Sequence, residues 1–252
     1  MIILALDTTT AAGSQALWRD GRVVDARIGD PARSHGQRLP GELQHLLESH
    51  GLGWKDVDLY AVAIGPGSFT GLRVGIATIQ GLALVHDKQV VGVSALDGWA
   101  QGALDVSRDQ PEGALIGVAL EAQRGEVFAA LYELGHTVDG NAGVVLREEP
   151  FVIKREELFT SDWEAHLRTR PLFVISDLPS STWSMAGTDN LRRLEPVTNL
   201  ASHIAVLAAD RAHSGSAVAP HAVQPLYVRR PDVELARERQ TPAPASERSN
   251  HG

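Results

Sequence analysis

Apolar and polar positions sort the chain into two runs of strands and helices. Residues 2–7, IILALD, are apolar until they end in Asp7, the pattern of a strand covered on both faces. SQALWRDGRVVDARI predicts two more strands about an Asp20-Gly21 turn. In SHGQRLPGELQHLLESHG, Leu39, Leu43, Leu46 and Leu47 fall at i, i+4, i+7 and i+8, one stripe of a helix. Pro40 either starts that helix or kinks it, and Gly51 is a natural stop. DLYAVAIG and QVVGVSAL read as strands with a helix between them, and DGWAQGALDV as a short helix. The order then recurs. ALIGVALEA is an apolar strand ending in Glu121; GEVFAALYEL and GVVLREEPFVI are two more strands. KREELFTSDWEAHL predicts a helix, PLFVISDL a strand and NLASHIAVLAADRAHS a long helix.

Both halves therefore read β-β-β-α-β-α, each with a carboxylate closing its first strand. That layout predicts an α/β protein of two ribonuclease-H-like lobes of the actin, Hsp70 and sugar-kinase type, with mixed sheets flanked by helices. The expected division is a first lobe over 1–105, a smaller second lobe over 106–200, and a C-terminal helix and segment near the hinge over 200–230. Residues 231–252 are charged, rich in Pro, Ala and Ser and without apolar period, which predicts a disordered tail.

One stretch, AVAIGPGSFTGLRVGIATIQGLALVHD at 61–87, has the strand, glycine-loop, helix order of a phosphate cradle. Its details do not fit one. A P-loop needs a lysine after its last glycine, and none follows Gly65, Gly67 and Gly71; Arg73 is the nearest cation. Thr70 stands where a dinucleotide fingerprint needs its third glycine, and Pro66 removes an amide. The alternative is a tight turn into a helix capped by Ser68 or Thr70. The helix itself is apolar nearly all round. Leu72, Ile76, Ile79 and Ala83 form one face, Val74, Gly75, Thr78, Leu82 and Val85 a second, and only Arg73 and Gln80 mark a polar strip. A sheet covers one face. The other is covered by the leucine stripe of residues 39–47, by a second polypeptide, or by both, and the pattern leaves these open. Gly71, Gly75 and Gly81 each cost about 1 kcal/mol of helix propensity, which close approach of another backbone would explain.

Composition narrows the chemistry. With no cysteine among 252 residues, disulfides, thiolate metal sites and thiol nucleophiles are excluded. The net charge of -8 and the absence of a basic run argue against a chain that grips nucleic acid alone. No signal peptide or membrane-length apolar run is seen, which predicts a cytoplasmic protein.

ILALDTTT near the start and GPGSFTGLRVGIATIQGLA at 65–83 closely resemble the TsaB (YeaZ) family of bacterial tRNA threonylcarbamoyladenosine biosynthesis proteins. GVSALDGWA at 92–100 and PLYVRR at 225–230 fit the same pattern, so the resemblance spans about residues 1–230. The second half departs from it: the family's Asp-Ala-Arg after its first strand is EAQRGEVF here, with Glu121 and Arg124. The resemblance implies an actin-like fold that has lost its chemistry. It implies pairing with a TsaD-type transferase, a TsaE-type ATPase bound to that pair, tRNA reached only through the complex, and a homodimer when alone. It places the contact on the two first-lobe helices, near residues 35–50 and 70–85. The expected interface is Leu39, Leu43, Leu46, Leu47, Leu72, Arg73, Gly75, Ile76, Ile79 and Leu82. Gly75→Leu and Leu43→Asp are then expected to abolish pairing and spare the fold.

Other chemistry finds less support. His35, His45 and His50 lack the i, i+4 spacing of helical metal ligands, so no metal or other cofactor is expected. Asp7 is a weak candidate for a hydrated Mg²⁺; it could equally cap a turn through the amides of Thr9 and Thr10. Ser34 and His35 are neighbours whose side chains diverge on a helix, and no G-x-S-x-G elbow exists. The reading is a non-catalytic subunit of the tRNA-modifying complex. The rivals are an actin-fold ATPase or phosphotransferase using Asp7, and a homodimer binding a small molecule between the lobes.

Overall fold

A computed structural model describes residues 1–106, 113–136, 142–158, 163, 171–183 and 190–228; of Asp105, Val106 and Ala142 only the backbone is described. The first sheet contains β1 (Ile2–Asp7), β2 (Ser14–Arg19), β3 (Arg22–Ile28), β4 (Leu59–Gly65) and β5 (Gln89–Ser94), in the order β3-β2-β1-β4-β5. The opening meander is antiparallel, and β4 and β5 run parallel to β1. Helices α1 (His35–Glu48), α2 (Phe69–Val85) and α3 (Ala95–Val106) connect and follow these strands.

The second sheet repeats the plan. Strands β6 (Leu115–Glu121), β7 (Glu126–His136), β8 (Ala142–Lys154), β9 (Leu172–Ser176) and β10 (Leu191–Arg193) lie in the order β8-β7-β6-β9-β10, the same order as the first sheet. Again the first three are antiparallel and the last two parallel. Helices α4 (Ser180–Trp183) and α5 (Leu200–His213) follow β9 and β10. The duplicated ribonuclease-H-like, actin-type architecture is therefore present.

The second half differs from its predicted order at one point. The long helix is not the partner of α2; the short α4 holds that place, and α5 follows a strand the pattern does not announce. That strand, β10, has three residues, two of them exposed arginines, so it carries no apolar signature. The predicted helix over 154–167 shows a short 3₁₀ turn at Arg155–Glu157, and most of its remainder lies outside the described residues, as does the predicted tail over 231–252.

Strand alternation builds three apolar layers. Leu4 and Leu6 of β1 face α1 and α2, with Leu17, Tyr60 and Val62 beside them. Ile3 and Ala5 face the other way, onto α3 and α5. Those two helices lie between the sheets, so a single core joins Ile3, Ala61 and Val91 to Ile116, Val118 and Tyr132. The far face of the second sheet closes over Leu158, Trp163, Leu178 and Trp183. The C-terminal segment, expected near the hinge, returns to the first lobe. Val218 forms an antiparallel bridge with Val90, and the Leu226 amide donates to the Ile64 carbonyl at 2.8 Å. Among the described residues no helix is long and apolar enough to cross a membrane.

Candidate functional site

The end of β1 and the glycine loop meet at the start of α2. Asp7 is 3% exposed, and it caps its own turn. One carboxylate oxygen accepts from the Thr9 amide at 2.8 Å and from Thr9 Oγ1 at 2.7 Å. The other faces Ser14 Oγ at 3.4 Å, which in turn accepts from the Ala201 amide at the start of α5. Burial pushes the Asp7 carboxyl above its ordinary range, against the lowering effect of these hydrogen bonds.

Against this turn the glycine loop closes directly. The Ser68 amide donates to the Thr9 carbonyl at 2.8 Å, and Ser68 Oγ caps α2 by accepting from the Gly71 amide. A methyl group on Gly71 would overlap the Thr8 carbonyl, and one on Gly75 would overlap Thr8 Oγ1. These two glycines admit the chain's own Thr8–Thr10 turn, not a second polypeptide. Only Gly81 of the three opens outward, with no atom near the place of a side chain.

A buried arginine, not singled out in the sequence, fixes the turn from the other side. Arg38 of α1 is 3% exposed. Its guanidinium donates to the Ala12 carbonyl, to Glu42 at 2.5 Å and to Nδ1 of His35 at 2.8 Å. With Nδ1 accepting, His35 Nε2 carries the proton it donates to the Thr10 carbonyl at 2.9 Å. Gly29 lies against it, and a side chain there would overlap that guanidinium. His50 bonds Asp25 at 3.0 Å, and His45 is exposed on α1. Among the described residues no three His, Asp or Glu side chains form a group able to hold a metal ion.

The expected interface residues divide sharply. Leu39, Leu43, Leu46, Leu47, Ile76 and Ile79 are buried against the first sheet of their own chain, Leu72 is buried beside Gly65, and Gly75 is buried against Thr8. Within the chain itself these positions are already covered. Leu82 is half-buried and Arg73 is exposed. Consequently Gly75→Leu and Leu43→Asp would attack the fold, contrary to expectation. The outward face of α1 is polar, with Gln37, Gln44, His45 and Glu48 exposed. That of α2 is not. Phe69, Arg73, Ala77, Gly81, Leu84 and Val85 are exposed along it, Leu84 at 73% and Val85 at 78%. The Arg73 guanidinium lies 4.0 Å from the centre of the Phe69 ring, which also meets Tyr227 of the C-terminal segment at 6.2 Å.

In the second lobe, the hairpin after β6 turns through Gln123, Arg124 and Gly125, all in left-handed conformation. Glu121 bonds the Gln123 amide at 3.1 Å and pairs with Arg155. The turn is thus kept with glutamate in the acidic place.

Comparison with known proteins places this geometry. The family model for TsaD, tRNA N6-adenosine threonylcarbamoyltransferase, matches residues 30–148. A transferase of that name from Solidesulfovibrio magneticus is 32% identical over 57% of this chain and 43% of its own. A solved structure from Pseudomonas aeruginosa, described as an uncharacterized protein with similarity to peptidase YEAZ, superposes with a TM-score of 0.75 at 28% identity, over 90% of this chain and 99% of that one. The Escherichia coli tRNA threonylcarbamoyladenosine biosynthesis protein TsaB is 34% identical over 91% of this chain and 95% of its own. A likeness of that extent along nearly the whole of both chains settles the family: the chain belongs to the TsaB family of tRNA threonylcarbamoyladenosine biosynthesis proteins.

Proposed function

We propose that this chain is a non-catalytic subunit of the assembly that forms N6-threonylcarbamoyladenosine in tRNA, where it scaffolds and activates a TsaD-type transferase. The observation that carries this reading is the outer face of α2, a row of small and apolar residues left exposed on a helix whose inner face is already covered. Exposed apolar surface of this kind marks association sites. Docking runs through Phe69, Arg73, Ala77, Gly81, Leu84 and Val85, with the half-buried Leu82 at the edge. Self-association of the isolated chain uses the same face, and a TsaE-type ATPase joins the resulting pair. Contact with tRNA comes through the partner, since the chain carries a net charge of -8. Asp7 acts as a turn cap, in keeping with its hydrogen bonds to Thr9.

The test is titration calorimetry against a TsaD-type transferase with Ala77→Glu and Gly81→Glu. Glutamate favours helix over glycine, so Gly81→Glu keeps α2 formed. At least a tenfold loss of affinity with unchanged melting is expected from burying an unpaired charge. Wild-type affinity in both variants refutes the assigned face. ATP turnover by the purified chain, abolished by Asp7→Ala, would instead establish the enzyme reading.

A further inference from the structure

The boundary between the lobes contains a polar relay that the role proposed above does not use. Arg211 of α5 donates to the Gly92 carbonyl of β5 at 3.2 Å and to one oxygen of Asp97 at 2.5 Å. The other Asp97 oxygen accepts from the Tyr132 hydroxyl of β7 at 2.8 Å. The chain of bonds thus runs from the first sheet, through both central helices, to the second sheet. Tyr132 is 2% exposed. Burial and the neighbouring Asp97 charge push its phenol up, which keeps it a donor.

The packing around the relay is equally committed. Residues of α3 and α5 at the boundary are largely alanine, including Ala100, Ala103, Ala201, Ala205 and Ala208, all fully buried. A methyl group on Gly98 would overlap the Leu200 side chain, and one on Gly102 that of Val197. Lobes hinge when their interface is small and polar; a large apolar one resists. Here sliding would also strip partners from a buried hydroxyl and from a carboxylate.

We propose that Asp97 is the hub of a lock that joins the two lobes into one rigid body, so that the opening and closing available to a two-lobed nucleotide enzyme is absent. Its claim is independent of which partner α2 binds. Because the chain has no cysteine, Glu48→Cys on α1 and Glu156→Cys in the second lobe provide a clean pair of spin-label sites. Pulsed electron resonance on the full chain is expected to give one narrow distance, unchanged by millimolar Mg-ATP. Asp97→Ala should broaden that distribution by about twofold or more as the lobes gain freedom. Should that variant not fold, Tyr132→Phe removes only the hydroxyl and should broaden it in the same direction. Two distances in the otherwise wild-type chain, a shift with Mg-ATP, or a folded Asp97 or Tyr132 variant as narrow as the parent overturns the lock.

Discussion

Gly75 faces Thr8, a fully buried residue whose hydroxyl has no hydrogen-bond partner among the described residues. Gly75→Ala is therefore expected to cost about 1–3 kcal/mol by overpacking. Thr8→Ala opens the space, so the double variant should recover part of that loss, with a coupling of about 1 kcal/mol or more in urea unfolding. Strict additivity would show that the contact is not the cause. Gly71 offers no such rescue, because its obstacle is the Thr8 carbonyl. Asp7 makes a second residue-scale prediction. Its carboxyl ordinarily titrates at 3.8, and burial raises it in the folded chain. Between 3.8 and that higher value the folded state holds a proton the unfolded state has released. Stability should accordingly fall as pH rises through this window. Asp7→Asn should remove that component of the slope, read by denaturant unfolding at several pH values; an unchanged slope would refute it. The turn-cap role of Asp7 was one of two alternatives visible in the sequence. Arg38 was not visible, because a charged residue beside a leucine stripe reads as solvated unless the loop it serves is known.

At the scale of elements, the sequence announced most strands and long helices but not who covers them. The inner face of α2, Leu72, Ile76, Ile79 and Ala83, was legible from spacing as one apolar face, and it is buried. Its second face was mis-drawn. An apolar helix carries no polar side to orient it, so periodicity could not separate surface covered by the sheet from surface left exposed. For α1, the same leucine stripe that suggested a docking face is simply the sheet-facing side of an amphipathic helix. The C-terminal segment escaped reading for another reason. It has no period, and its partners are remote: Gln80 donates to the carbonyls of Pro220 at 2.9 Å and Val223 at 3.1 Å, a separation of 140 residues for the first. Gln80→Ala should cost about 1–2 kcal/mol. It should also speed amide exchange at Val218 and Leu226 while leaving α1 unchanged. Equal protection at those two amides would show that the segment is held without Gln80.

For the molecule as a whole, the repeated order of elements was enough to predict two matching sheets, even though β10 was too short and polar to detect. How those sheets are joined was not legible, since alanines and glycines facing each other across α3 and α5 carry little pattern of their own. Their arrangement bears on synthesis. The first sheet is finished early, yet Ile3, Ala5 and Ala61 need α5 to cover them, and α5 begins only at Leu200. While the ribosome is still making the second lobe, one side of the nascent first lobe has no lid. Fragments ending before residue 200 should consequently be sticky and short-lived, and a gene cut between the lobes should yield a first half that does not stand alone.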